Sequence, residues 1–325
     1  MVSTKYIVRR IVNTFLVIAA ATLISFIIPR LAPGDPVDLL QQTYGLSNEE
    51  AEAIRARLGL RGSLWDQFIA YIASLARLDL GYSFTYNMRP VVDVIASALP
   101  WSVLLLSIVI SLRVIIGITL GMISAARQGG KLDTVLSSIM SFILSMPYFL
   151  LALVFLYIFG VKLGVFPISH AYSYEYISKG FSIGLVMDVL THSALPIITL
   201  VLIGLPHTYY VMKNNMIAIL KEDFVLVMRA KGLKESRIMW NVARNAILPV
   251  VTSTAISIGY IVVGAVIAEA IFSYPGMGYV FINAILNKDY PLIQGVFLLL
   301  SITVSLANLT ADLLYMALDP RVRVK

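Results

Sequence analysis

Basic side chains in this sequence concentrate in one polar loop, which interrupts a chain of apolar runs. Seven of the 25 lysine and arginine residues lie within residues 213–249, around Arg229-Ala230-Lys231-Gly232. Residues 221–228 and 234–241 predict two short helices, and Gly232 between them can adopt the positive φ that reverses a chain. Pro249 is tolerated in the first turn of the apolar helix that follows. The loop either transmits a displacement to the flanking helices or is an ordinary basic loop that contacts anionic lipid.

Arg113 is a second feature that could take part in chemistry, because this charged residue has about ten apolar residues on either side. An arginine at the centre of a membrane helix costs roughly 2.5–3.5 kcal/mol on insertion scales, so it normally faces protein or water. It either lines a solute path and meets a substrate carboxylate, or has a structural partner such as Asn308 or a carbonyl freed by Pro147. The candidates for a pathway or a gate are Arg113, Pro147, Ser257, Glu269 and Asn308.

Residue sets typical of enzymes are missing from the sequence. The run Gly129-Gly130-Lys131 is followed by a leucine and lacks the upstream glycine of a phosphate-binding loop. His170, His192 and His207 are isolated from one another and from acidic pairs, and the chain has no cysteine. We therefore expect no catalytic group, no ATP binding, and no metal or other cofactor in this chain.

The composition is that of a membrane protein. Of the 325 residues, 59% are hydrophobic and 13% are charged, against about 25% charged in a typical soluble domain. The formal net charge of +7 does not indicate nucleic-acid binding, because the basic residues lie in short loops between apolar runs, where membrane topology explains them. We expect the chain to be embedded in the lipid bilayer.

Six apolar windows are long enough to cross the bilayer, which needs about 20 residues per helix. They fall at residues 11–28, 100–123, 133–162, 188–213, 244–269 and 289–312. Short basic loops precede the first window and follow the second, fourth and sixth, so both termini are predicted to be cytoplasmic. A cleaved signal peptide is the alternative for the first window, but its alanines at 19–21 lie inside the apolar run rather than after it.

Residues 29–98 form one long polar stretch, which the alternation of spans places outside the cytoplasm. Ser47 and Glu50 predict a capping box at a helix start, and Gly59 predicts its end. After Ser63, apolar residues recur at helical spacing and predict a second helix that packs on the membrane core. These residues are Trp65, Phe68, Ile69, Ile72 and Leu75.

Short motifs along nearly the whole chain add to this pattern. In chain order they are Pro33-Gly34-Asp35-Pro36, Leu78-Asp79-Leu80-Gly81-Tyr82-Ser83, Arg89-Pro90, Leu99-Pro100, Ser145-Met146-Pro147, Glu222-Asp223-Phe224-Val225, Ala230-Lys231-Gly232-Leu233, Ile271-Phe272-Ser273-Tyr274-Pro275-Gly276-Met277-Gly278, Asp289-Tyr290-Pro291 and Leu318-Asp319-Pro320-Arg321. Together they resemble the permease subunits of binding-protein-dependent ABC importers, most closely the B-type subunit of the dipeptide, oligopeptide and nickel branch.

The resemblance implies an all-α membrane protein of the type I ABC importer permease fold, with six transmembrane helices and a long extracytoplasmic loop after the first. It divides the chain into an N-terminal region, residues 1–98, and a permease core, residues 99–325. It implies three kinds of partner: a second, related permease subunit, two ATP-binding subunits that hydrolyse ATP, and an extracytoplasmic solute-binding protein.

In this family the polar loop docks on the ATPase. The residues that the resemblance assigns to this coupling are Glu222, Asp223, Arg229, Ala230, Lys231, Gly232, Leu233 and Arg237. The sequence departs from the broad importer pattern at Leu226, where an acidic residue is usual, six positions before the glycine. The separation of seventeen residues between Gly232 and Pro249 agrees with the peptide-type branch.

The resemblance implies that the solute is a short peptide, with oligosaccharides second and nickel third. A different class of function, a secondary transporter driven by an ion gradient, predicts inverted repeats, broken helices and buried carboxylates near the membrane midplane. None of the six windows has an acidic residue in its middle. This pattern argues against an ion-driven transporter, and the resemblance implies an importer whose ATP hydrolysis takes place in separate ATPase subunits.

Overall fold

A computed structural model describes residues 4–31, 37–38, 41, 45–57, 60, 62–176 and 180–318. The described chain is a bundle of α-helices with one two-stranded antiparallel hairpin, β1 (Tyr82–Ser83) and β2 (Arg89–Pro90). The α-helices are α1 (Thr4–Leu31), α2 (Asn48–Arg57), α3 (Leu64–Ala76), α4 (Val91–Ala126), α5 (Lys131–Ser145), α6 (Tyr148–Phe155), α7 (Ile183–Ile219), α8 (Asp223–Ala230), α9 (Glu235–Ile271), α10 (Met277–Leu286) and α11 (Tyr290–Leu318).

Four described helices are long and apolar enough to cross a membrane: α1, α4, α7 and α11. They coincide with the first, second, fourth and sixth predicted spans. The fifth predicted span lies within α9, which runs without interruption for 37 residues. The all-helical membrane architecture is confirmed, and the count of six spans stays a prediction.

The third predicted span is broken rather than continuous. Helices α5 and α6 meet at an angle of 99°, and α6 continues as a π-helix over Leu156–Lys162. The cause is Pro147, which has no backbone N–H and disfavours helical geometry in the residue before it. Met146 accordingly has extended geometry, with φ −84° and ψ 133°.

The stretch after α1 contains both predicted short helices. The Ser47–Glu50 capping box is confirmed, with the Ser47 N–H donating to Glu50 Oε2 at 2.8 Å. The predicted end of this helix at Gly59 lies outside the described residues. A second box joins Ser63 to Asp66 at the start of α3, and the Ser63 hydroxyl and N–H hold the pKa of the Asp66 carboxyl below its usual value. Both helix starts are therefore fixed by their own side chains.

Helix α3 packs on the end of α1 with only part of its apolar stripe. The ring of Phe68 lies 5.1 Å from that of Phe26, in an edge-to-face arrangement. Arg30 donates from Nε to the Gln67 side-chain oxygen at 2.9 Å. Trp65, Ile69 and Ile72, on the same stripe, are exposed. The predicted packing on the core is thus correct for Phe68 and wrong for these three residues.

Helices α4 and α7 have the most extensive contact of any described helix pair, and glycines allow their close approach. A Cβ at Gly117 would lie 2.7 Å from Thr208 Cβ, and one at Gly121 would lie 2.8 Å from Met212 Cβ. Small residues allow membrane helices to approach in this way. The close approach makes α4 and α7 one packing unit, against which α5 and α9 are placed.

Candidate functional site

The predicted coupling loop is a compact turn between α7 and α9. Helix α8 confirms the first predicted short helix to within two residues, and Gly232 has the expected positive φ of +70°. The second predicted short helix is wrong as a separate element, because residues 235–241 are the first two turns of α9. Pro249 consequently lies deep inside α9 rather than in a first turn, since a proline costs one helical hydrogen bond that packing can offset.

Helix α8 is anchored to the ends of both flanking helices. Val225 is 1% exposed and packs in one apolar cluster with Met212 and Met216 of α7 and with Ile238 and Val242 of α9. A buried anchor of this kind cannot shift without its neighbours, because protein interiors are close-packed. A displacement of α8 is therefore passed directly to α7 and α9.

The outward side of this turn presents most of the residues that the sequence assigned to coupling. Leu233 is half-buried, and the exposed members are Glu222, Asp223, Arg229, Ala230, Lys231, Gly232 and Arg237. Arg229 Nε and Glu235 Oε1 lie 2.9 Å apart across the turn, both on the surface. Leu226, at the position of the usual acidic residue, is 69% exposed. The turn thus offers a surface of mixed charge around an apolar centre.

Arg113 is held inside the chain's own bundle. It is 2% exposed and donates from Nη2 to Ser257 Oγ at 2.5 Å, which joins α4 to α9. A Cβ at Gly204 of α7 would lie 2.4 Å from Arg113 Cδ, so that glycine makes room for the arginine. The partner is Ser257 instead of the predicted Asn308 or a carbonyl freed by Pro147, and both of those residues are exposed. Its burial within one chain favours the structural role over a solute path.

Glu269 closes the corner between α9 and α10. Its carboxylate, 1% exposed, accepts from Ser102 Oγ at 2.7 Å and from the Gly278 N–H at 2.6 Å. Ser102 Oγ in turn accepts from the Met277 N–H at 2.8 Å. A carboxylate is favourable at a helix N-terminus, where unpaired N–H groups point outward. Glu269 lies near the end of α9 and is therefore a capping group for the N-terminus of α10, the next helix.

Two glycines make this corner possible, which gives the motif around Pro275 a physical meaning. A Cβ at Gly276 would lie 2.4 Å from Glu269 Cδ, and a Cβ at Gly278 would lie 2.3 Å from Val266 Cα. Neither position has room for a side chain. The motif is thus a requirement of close helix approach, which the sequence alone did not reveal.

A second buried carboxylate, Asp289, ties the hairpin to the start of α11. Asp289 Oδ2 accepts from Ser83 Oγ at 2.6 Å and from the Thr85 N–H at 2.9 Å. The sequence contains these residues in two separate motifs and gave no reason to join them. The signal that could have paired them is the rarity of acidic residues next to apolar windows, since a buried charge requires hydrogen-bonding partners.

No group of three or more histidine, cysteine, aspartate or glutamate side chains that could hold a metal occurs among the described residues. The polar sites that the fold assembles include the α8 turn, Arg113, Glu269 and Asp289. The first is exposed, and the other three are buried connections between helices. Of these four sites, only the α8 turn is open to direct contact with a partner protein.

Comparison with known proteins agrees with this arrangement. Residues 117–324 match the family described as Binding-protein-dependent transport system inner membrane component. Residues 3–106 match its companion, Binding-prot-dependent transport system membrane comp, N-term. The two matches together extend over almost the entire chain.

Full-length relatives carry names from peptide transport. A Brucella suis biovar 1 (strain 1330) protein, named among the peptide permeases, is 34% identical, with 98% of this chain and 99% of the relative covered. The oligopeptide transport system permease protein AppB of Bacillus subtilis (strain 168) is 30% identical, with 98% of each chain covered. The dipeptide transport system permease protein DppB of Escherichia coli (strain K12) is 31% identical, with 99% of each covered.

Three observations lead to the same assignment: the two family matches, the relatives that align along the whole chain, and the apolar helices. The chain belongs to the binding-protein-dependent transport system inner membrane components and is a multi-pass permease subunit of an ABC importer.

Proposed function

We propose that this permease moves short peptides from an extracytoplasmic binding protein into the cytoplasm, driven by ATP hydrolysis in separate subunits. The observation that carries the proposal is the similarity along the full chain to permeases named for oligopeptide and dipeptide transport. Oligosaccharides and nickel are the other solutes considered for this branch. The relatives compared above favour neither.

The proposed working unit pairs this chain with a second, related permease and two ATPase subunits. Residues 1–98 form its N-terminal region and residues 99–325 its permease core, with both termini in the cytoplasm. In this orientation the α8 turn faces the ATPase, and Glu222, Asp223 and the exposed Leu226 are available for contact. Closure of the ATPases displaces α8, and the anchoring of Val225 passes that displacement to α7 and α9.

A binding screen of the cognate solute-binding protein tests the substrate class. We expect di- to pentapeptides to bind and to stimulate ATP hydrolysis by the reconstituted complex, because selectivity in such systems rests largely on the binding protein. Oligosaccharides of similar size and Ni²⁺ are the matched controls. Binding of an oligosaccharide or nickel with no binding of any peptide would contradict the peptide assignment and leave the permease assignment standing.

A further inference from the structure

A buried polar network joins α4, α5 and α7 close to the α8 turn. At its centre is Asp133, which is 7% exposed and forms an ion pair with Lys213. The Asp133 carboxylate also accepts from Ser124 Oγ and, at 2.9 Å, from the Gly129 N–H. Lys213 Nζ donates a further hydrogen bond to Ser137 Oγ at 2.8 Å. The carboxylate is thus bonded to groups of α4, α7 and the turn before α5.

Tyr209 completes the network from the side of α7. Its hydroxyl lies 2.6 Å from Ser124 Oγ and 3.0 Å from Ser137 Oγ. Among the described residues, the buried polar atoms that lack a hydrogen-bond partner include no side-chain atom of this network. A network in which every member is satisfied fixes one relative position of its helices, because any shift leaves a buried charge unpaired.

Apolar side chains of similar volume can hold helices together at least as well as a buried ion pair. The network is therefore poorly explained as simple adhesion. What an ion pair adds is a defined register between α5 and α7.

The position of the network gives this register a use. Lys213 lies on α7 six residues before that helix ends at Ile219, and α8 begins at Asp223. Asp133 lies in the first turn of α5, whose other end is the 99° corner at Pro147. The ion pair thus connects the end of α7 that packs against α8 with the first turn of the broken span.

We propose that Asp133 and Lys213 form a positioning pair that makes α5 follow α7 when the ATPases displace α8. When the pair is broken, the ATPase subunits still hydrolyse ATP, but the movement of α7 no longer carries α5 with it. This inference rests on the proposed function, since it assumes an ATPase partner at α8.

The test is the ratio of peptide taken up to ATP hydrolysed by the complete complex in proteoliposomes with its binding protein. Asp133→Asn and Lys213→Met are each expected to lower this ratio about tenfold, a typical size for coupling between sites. Asp312→Asn is the matched control, because Asp312 pairs with Arg10 at 3.0 Å and joins α1 to α11, away from α8. Its ratio should stay at the wild-type value.

A distance measurement separates positioning from general damage. The chain has no cysteine, so Val135→Cys on α5 and Asn214→Cys on α7 can be spin-labelled with no competing cysteine in this chain. With the pair intact, the interlabel distance should be the same in the nucleotide-free and ATP-bound states. In Asp133→Asn/Lys213→Met, which leaves no unpaired buried charge, it should differ between the two states.

An unchanged uptake ratio in all the variants, or a distance that differs between states while the pair is intact, would overturn the inference. If single variants do not reach the membrane, the double variant decides the outcome on the same two readouts. Failure of the proposed function would look different, because the wild-type complex itself would then show no ATP hydrolysis stimulated by the loaded binding protein.

Discussion

Replacing Gly232 by valine is expected to abolish the ATP hydrolysis that the loaded binding protein stimulates, without affecting insertion into the membrane. Gly232 has φ +70°, and a Cβ there would meet no atom within 4 Å, so the effect is one of backbone conformation. A left-handed conformation costs an ordinary residue about 1–2 kcal/mol and a β-branched one more. The turn between α8 and α9 would relax to another geometry and carry its exposed residues away from the ATPase.

Gly164→Val is the matched control for this effect. Gly164 also has a positive φ, +62°, and open space around it, but it lies after the π-helix and away from α8. We expect this variant to retain stimulated hydrolysis. Gly232→Asn should recover part of it, because asparagine tolerates the left-handed region. Full stimulation in Gly232→Val would contradict the coupling role of the turn.

Glu269→Ala is expected to have the largest effect on folding. It leaves the Ser102 hydroxyl and the Gly278 N–H without their acceptor inside the protein, at about 1–3 kcal/mol for each group. It also leaves a cavity beside α10, because the surrounding helices relax only in part. We expect a large loss of monodisperse protein in detergent and a lower thermal transition temperature.

Two other variants calibrate this result. Glu269→Gln preserves the side-chain volume and one acceptor oxygen, and its loss should be intermediate. Glu49→Ala, at an exposed position in α2, should behave like the wild type. A stable, well-folded Glu269→Ala protein would show that the corner between α9 and α10 does not depend on the carboxylate.

Features that depend on nearby residues were predictable from the sequence. The capping box at Ser47, the first coupling helix and the positive φ of Gly232 all follow from local rules of helix ends. Four membrane helices follow from apolar runs alone. Such features need no knowledge of which helix packs on which.

The effect of a proline on a helix could not be predicted from the local sequence alone. Pro147 ends a helix and turns the chain, whereas other prolines lie inside long helices. Those are Pro29 in α1, Pro100 in α4, Pro196 and Pro206 in α7, and Pro249 in α9. A proline removes one hydrogen bond wherever it stands, and the packing around it decides whether the helix continues. Apolar patterning alone therefore did not reveal the bend in the third window, and it predicted too late a start for α9.

Contacts between residues far apart in the chain were the second kind of feature that could not be predicted from the sequence. Glu269 meets Ser102 across 167 positions, and Asp289 meets Ser83 across 206. Arg113 was recognised as unusual, but its partner was assigned to the wrong helix. Asp133 and Lys213 served only as ends of apolar windows, although they pair with each other. Pairing of this kind depends on tertiary packing, which spacing along one chain does not specify.

Cross-linking from position 226 tests the central claim most directly. A photoactivatable reagent on Leu226→Cys, in the assembled complex within sealed vesicles, reports both the side of the membrane and the neighbour of α8. We expect membrane-impermeant reagents to reach the cysteine from the cytoplasmic side and cross-links to form with an ATPase subunit. Labelling from the opposite side, or a complex in which no ATPase subunit is captured, would contradict the account.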